Sequence, residues 1–313
     1  MKKLLIVLLT IVLVLGMSGT AFAIGDDNEY TDMGSITIKK VVNGSGNPEE
    51  TFNFTIGAGE VLEGSAESAP VFSQNDFSIT VGKGENEGSK DITLPAFNRV
   101  GKYSYSITET EGNTAGMVYD NSGKELIITV INDGDGGFIR LAKIVDVETE
   151  EKAEGFVNTF NAGDLKVNKV LEGNYTDLND EFTVTVTLKP IGEKTLNIEG
   201  IVAVNGSVDT NEVTGEVTIT YTVKGGNDFT IQNIPYDVYY SVLELENELG
   251  YTATYDGKES GEFKYSNVET TITNTRSIEV PVGVTLENLP YILILVLAVG
   301  GLAIFVIRRR IFN

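Results

Sequence analysis

The sequence predicts an all-β chain of two tandem β-sandwich domains, flanked at each end by an apolar segment. Three observations carry this. Between the ends, polar and apolar residues alternate over run after run, and no long 3.6-residue period appears. β-Branched residues dominate those runs, while the glycines gather in turn clusters such as Gly44-Ser45-Gly46. A three-part pattern, lysine on an early strand, glutamate on a middle strand and asparagine on the last, occurs twice.

In chain order, Lys2 and Lys3 precede an apolar run from Leu4 to Leu15, and Ala21-Phe22-Ala23 fits a small-x-small cleavage site. Residues 1–23 therefore read as an N-terminal signal peptide, with the mature chain starting near Ile24. The first sandwich is expected over 34–161. Thr51 to Ile56 and Asp76 to Val81 alternate as half-buried strands do. Gly82 to Gly88 is glycine-rich, but no helix follows, so it reads as a turn and not a phosphate loop. Asn132 to Gly137 resembles a calcium loop only faintly: Lys143 stands where the bidentate glutamate belongs, so a hairpin turn is expected.

A boundary falls near Asn161-Ala162-Gly163-Asp164, and the second sandwich is expected over 164–277. There Phe182 to Val186 and Val213 to Val223 alternate in the same way. Residues 279–313 carry a second apolar run over 289–307, followed by Arg308-Arg309-Arg310. That layout predicts a transmembrane helix whose arginines stay cytoplasmic.

Composition excludes much chemistry. The 313 residues include no cysteine, histidine or tryptophan, which removes disulfides, thiolate zinc sites and histidine-assisted nucleophiles. No cofactor and no metal is expected. A net charge of −22 disfavours nucleic acid as a partner.

The repeated pattern carries the one specific chemistry. In the first half it reads Ile36-Thr37-Ile38-Lys39-Lys40, then Tyr103 to Glu109, then Phe156-Val157-Asn158-Thr159-Phe160. In the second half it reads Leu165-Lys166-Val167-Asn168-Lys169, then Tyr239 to Glu244, then Thr271-Ile272-Thr273-Asn274-Thr275. In water an ammonium and a carboxamide do not react. Burial disfavours both the charged amine and the charged carboxylate, so a neutral lysine can attack the asparagine side-chain carbonyl. A protonated glutamate is expected to hydrogen-bond that carbonyl and shuttle the proton that lets ammonia leave. Phe52, Tyr103, Tyr105, Phe156 and Phe160 in the first set, and Phe182, Tyr239 and Tyr240 in the second, are the aromatics expected to exclude water.

These residues resemble the backbone pilins of Gram-positive bacteria, specifically the streptococcal two-domain shaft pilins with intramolecular isopeptide bonds. The resemblance covers nearly the whole chain. It implies immunoglobulin-like, collagen-adhesin B-type sandwiches, with Lys40 joined to Asn158 assisted by Glu109, and Lys169 joined to Asn274 assisted by Glu244. Lys39 is expected to face the other side of its strand, in solvent. The tail Glu279-Val280-Pro281-Val282-Gly283 lies where the family has its sortase motif, but Val282 replaces the usual threonine at the cleavage position. This implies a sortase of matched specificity; slow processing that leaves the chain membrane-held is the other consequence. Lys152 occupies the neighbourhood of the family's polymerisation lysine. The implied partners are further copies of the chain, sortase and peptidoglycan, with ancillary pilins and host surface ligands beyond them. The implied role is a non-enzymatic pilus shaft subunit, its only reaction the autocatalytic cross-linking, at the cell wall of a Gram-positive bacterium. The alternative is a monomeric wall- or membrane-anchored adhesin built on the same domains.

Overall fold

The computed structural model describes residues 30–280 and 289–311. The expected signal peptide, and Pro281, Val282 and Gly283 of the tail motif, lie outside the described residues.

The chain forms two compact units, and the division is not a single cut in sequence. The first comprises the residues up to Asn43, Glu49–Gly112 and Tyr119–Thr159; the second comprises Gly44–Pro48, Asn113–Val118 and everything from Phe160. Each is a sandwich of two sheets. In the first unit the strands Glu87–Thr93, Ser35–Asn43 and Gly155–Phe160 lie side by side. The facing sheet has the order Asp76–Val81, Glu50–Gly64, Gly101–Glu109, Lys124–Asn132, Phe138–Asp146, Lys152–Ala153. The Asn132–Gly137 segment is the hairpin between two of these strands, closed by Asp133 Oδ1 accepting the Asp135 and Gly137 amides.

In the second unit one sheet has the order Val202–Ala203, Asp228–Pro235, Ala162–Glu172, Asn267–Thr275, Thr252–Gly257. The other has the order Ser207–Thr210, Val217–Lys224, Glu181–Pro190, Val238–Glu244, Ser260–Phe263. The expected strand from Val213 begins only at Val217. Asn211 accepts the Val213 and Thr214 amides and ties the preceding residues into a turn. Side-chain capping of this kind competes with the strand ladder and overrides the alternating pattern.

What positions the chemistry is the pairing of first strand with last. Ser35–Asn43 runs parallel to Gly155–Phe160, with Lys40 opposite Phe156 and Val42 opposite Asn158. Ala162–Glu172 runs parallel to Asn267–Thr275, with Lys169 opposite Ile272 and Leu171 opposite Asn274. In both units the asparagine therefore lies two residues past the lysine's partner. An even offset puts both side chains on one face.

That face is the core. Ile36, Ile38, Lys40 and Val42 are the inward positions of the first strand, and Leu165, Val167 and Lys169 those of its counterpart. Period-2 alternation forces each lysine inward with its apolar neighbours. Two glycines let the paired strands approach: a Cβ at Gly155 would land on the Lys39 carbonyl oxygen, and one at Gly163 on the Tyr265 carbonyl oxygen.

The C-terminal segment is a helix over Leu289–Ile311. Within the stretch Leu289–Arg310 an apolar 18-residue window has a mean hydropathy of 2.7, and the stretch exposes its side chains throughout. At 1.5 Å per residue it is roughly 33 Å long, enough to cross a bilayer core. It runs past residue 307 because arginine is a good helix former and a cation in the last turn suits the helix dipole.

Candidate functional site

In each unit the structure brings a lysine, a glutamate and an asparagine together between the two sheets. Lys40 and Asn158 come from the first and last strands, while Glu109 ends the strand Gly101–Glu109 of the facing sheet. Lys40 Nζ lies 2.8 Å from Glu109 Oε2, and both side chains are fully buried. Asn158 Nδ2 donates to Glu109 Oε1 at 2.7 Å. One carboxyl group thus touches both the amine and the amide nitrogen. The Phe52 ring covers the amine, its centroid 4.8 Å from Lys40 Nζ.

The second unit repeats this. Asn274 Nδ2 donates to Glu244 Oε1 at 2.6 Å, and Phe182 covers Lys169 Nζ at 4.4 Å. Lys169 Nζ lies 3.3 Å from Glu244 Oε2, too bent an approach for a hydrogen bond. Glu244 is fixed from behind, its backbone N–H donating to the Tyr255 hydroxyl at 2.9 Å.

Electrostatics follow from burial. Loss of water pushes the Lys40 and Lys169 amines below the usual lysine range, against the pull of Glu109 and Glu244. It pushes the Glu109 carboxyl up, against the pull of Lys40. For Lys40 and Glu109 both directions favour the uncharged pair, and a neutral amine is a nucleophile. In each unit the carboxyl sits on the nitrogen end of the asparagine, not on its carbonyl as the sequence reading expects. In the first unit the reason is visible: the Asp120 backbone N–H donates to Asn158 Oδ1 at 2.7 Å and takes the oxygen end of the amide. A carboxyl on the nitrogen end can pass a proton from the attacking amine to the departing one.

A fourth group lies beside the first cluster. Lys124 is buried, 2.8 Å from Asp146 Oδ2 and 3.6 Å from Asp120 Oδ2, with Phe156 over its amine at 5.5 Å. Asp146 keeps its charge: hydrogen bonding from Lys124 and the turn amides holds it down to about 2. A carboxylate is a poor electrophile, so this pair is a salt bridge. Asp120 is also ionised. Burial raises it, but hydrogen bonds from Ser122 and Val157 and the Lys124 charge outweigh that and leave it below the usual range. Sequence reasoning missed this network, although Lys124 shares the inward parity of Leu126, Ile128 and Val130, the same signal that marks Lys40.

The aromatics divide. Phe52 and Phe182 cover the amines, and Phe156 packs on Phe54 with centroids 5.0 Å apart. Phe160 is buried. Tyr103 and Tyr105 are buried but pack on Phe97 and Phe72; at about 3.4 Å per residue, Tyr105 is roughly 13 Å along the strand from Glu109. Tyr240 is buried, while Tyr239 points outward and is 49% exposed. Lys39 also points outward, 2.8 Å from Glu154. Lys152 is exposed on the edge strand Lys152–Ala153. Glu279 and Val280 are exposed.

Comparison with known proteins bears on both units. Residues 36–161 match the family described as a Spy0128-like isopeptide containing domain, and residues 163–276 match a domain of unknown function, DUF7601. The chain is similar to a pilin of Streptococcus pyogenes serotype M1, 24% identical over 242 residues that cover 70% of this chain and 71% of that one. The crystal structure of the major pilin from Streptococcus pyogenes is 19% identical, with a TM-score of 0.53 over 79% of this chain and 100% of that one. The major pilin T3.2 from the same species is 21% identical, with a TM-score of 0.50 over 79% of this chain and 99% of that one. The fold is that of the streptococcal major pilins.

The chemistry open to Lys40, Glu109 and Asn158 has a defined pH dependence. Transfer to the asparagine needs one proton shared between amine and carboxyl, so the pair titrates as a unit. The rate of ammonia release is expected to be flat near neutrality. It should fall in acid, where both groups hold protons, and in alkali, where neither does. Time-resolved intact mass of newly synthesised chain at stepped pH reads this rate. A rate that climbs steadily with pH, as for an exposed lysine, contradicts it.

Proposed function

We propose that this chain is a pilus shaft subunit in which each sandwich is closed by a self-made isopeptide bond, Lys40 to Asn158 and Lys169 to Asn274. One observation carries the proposal: a buried lysine, acid and asparagine recur at the same offset between first and last strands of both units. Similarity to streptococcal pilins supports the shaft role.

The neutral amine attacks the asparagine Cγ, the amide nitrogen leaves as ammonia, and the glutamic acid ends as it began. Each bond closes a loop of roughly 110 residues. By the chain-entropy argument for disulfides, that stabilises each domain by about 4–5 kcal/mol. Its mechanical effect is larger. The paired strands are parallel, so the start of one and the end of the other lie at opposite ends and a pull shears them. A covalent tie between them carries the tension, and the strands enclosed by each link need not separate.

The C-terminal layout of exposed Glu279 and Val280, the remaining motif residues to Gly283, an apolar helix and three arginines supports processing by a sortase at the cell surface. With Val282 at the cleavage position, that sortase has a matched specificity. The new carboxyl end would join Lys152 of the next copy, whose amine is exposed on a sheet edge, or the peptidoglycan. Isopeptide formation is the only reaction assigned to the chain itself.

The extracellular part released by protease is expected to weigh less than its translated residues by two ammonia, with no further loss as water from Lys124. Glu109→Ala and Glu244→Ala should each restore one ammonia and lower the stability of their own domain by about 4–5 kcal/mol, read as a drop in melting temperature. A mass equal to the translated one refutes the links. For assembly, boiled cell-wall extracts should show a covalent ladder that Lys152→Ala abolishes. A ladder that survives the substitution rejects this acceptor, and a single wall- or membrane-bound species in the unsubstituted chain rejects the shaft in favour of a monomeric adhesin.

A further inference from the structure

The two clusters are alike around the nitrogens and unlike around the oxygen. When an amine adds to an amide carbonyl, the oxygen takes up the electron pair of the C=O bond and becomes an oxyanion. In a dry pocket that charge needs a donor aimed at it beforehand, and a preorganised donor is worth about 10²–10³ in rate. The first unit has one, and among the described residues the second has none. Asn158 Oδ1 receives the Asp120 backbone N–H at 2.7 Å. Asn274 Oδ1 is buried with no hydrogen-bond partner among the described residues.

The donor in the first unit is held, not incidental. Asp120 lies in the loop between Met117–Val118 and Lys124–Asn132. Its carboxylate Oδ2 accepts the Val157 N–H at 2.9 Å, one residue before the asparagine it serves. Its Oδ1 accepts the Ser122 N–H at 3.0 Å and the Ser122 hydroxyl. Lys124, itself bonded to Ser122 and Asp146, neutralises this carboxylate from 3.6 Å. Asp120 thus grips the last strand twice, through the Val157 backbone and the Asn158 side chain. The same contact fixes the amide's orientation, because flipping Asn158 would turn its NH₂ against the Asp120 N–H.

We propose that the Asp120 main-chain N–H is the oxyanion donor for the first cross-link, and that the second cross-link forms without such a donor and more slowly. This rests on the isopeptide reading above. In the first unit, neutral Lys40 Nζ bonds to Asn158 Cγ and the carbonyl electron pair moves to Oδ1, against the Asp120 N–H. The Nζ proton goes to Glu109 Oε2, and the proton on Oε1 goes to Nδ2 as that nitrogen loses amide resonance and becomes basic. The Cγ–Nδ2 bond breaks, ammonia leaves, and the carbonyl re-forms. Atoms and charge balance without any further reactant. In the second unit Glu244 performs the same transfer, while the developing oxyanion meets no donor among the described residues.

The test uses the full chain made by cell-free synthesis with detergent, quenched at intervals and digested, with the two cross-linked peptides counted by mass spectrometry. In the unsubstituted chain the Lys40–Asn158 link should form at least about 10-fold faster than Lys169–Asn274, after correction for order of synthesis. Nonsense suppression can install the α-hydroxy analogue of aspartate at position 120, which replaces the N–H by an ester oxygen and keeps the carboxylate. The first link should then slow by about 10²–10³ while the second keeps its rate and serves as internal clock. An unchanged first rate overturns the proposal. If the ester leaves the first unit protease-sensitive, the unsubstituted chain decides: a first link no faster than the second overturns it. Absence of both links in the unsubstituted chain would instead defeat the isopeptide reading itself.

Discussion

An amine and a carboxyl group buried together with no water between them is the contact on which the rest depends. Moving either charge alone into an apolar core costs several kcal/mol, and a bare ion pair there repays that only with full hydrogen bonding. The first cluster offers Lys40 one acceptor 2.8 Å away and an aromatic face, and the second offers Lys169 a bent contact at 3.3 Å. Neither is enough to keep an ammonium comfortable. Burial pushes both amines below the usual lysine range and the Glu109 carboxyl up, toward the uncharged form that is the reactive one. In the cross-link proposed above, the instability of a buried polar group becomes a permanent bond.

Much of this was legible in the sequence, because period-2 alternation reports which way a side chain points. Lys40 continues the inward series Ile36, Ile38; Lys169 continues Leu165, Val167; Glu244 continues Val238, Tyr240, Val242. A charged residue at such a position has no place to go but the core. The same parity separates Tyr240 from the outward Tyr239, and it would have marked Lys124. What alternation cannot report is distance along a strand or the placing of a loop. Tyr103 and Tyr105 face inward and still lie far from the amine. Asp120 and Ser122 sit in a connection whose sequence reads only as a turn, and the hydrogen bonds of Asp120 to Val157 and Asn158 arise from where the last strand passes. The turn at Val213 escaped for a related reason, since a single asparagine side chain outweighed a good β pattern.

The two units also show how finely environment selects among similar contacts. Lys124 and Asp146 approach as closely as Lys40 and Glu109, both pairs at 2.8 Å. Asp146 is reached by the amides of Glu148 and Thr149 and stays ionised, so nothing there can be attacked. That salt bridge instead steadies the loop that presents the Asp120 amide to Asn158. Two lysines a few ångströms from carboxylates in one sandwich thus have different surroundings, one beside an asparagine amide on the same carboxyl group and the other in a salt bridge.

The central claim is that Lys40 and Lys169 are uncharged at neutral pH before they react. It is tested most directly by ¹⁵N NMR of lysine side chains in the detergent-solubilised full chain carrying Asn158→Ala and Asn274→Ala, which leaves both amines in place with nothing to attack. Two of the lysine resonances should stand at the neutral-amine position at neutral pH and move to the ammonium position only on acidification. If instead every lysine stays an ammonium until the pH nears the ordinary value of about 10, the buried pairs are salt bridges and the account is contradicted.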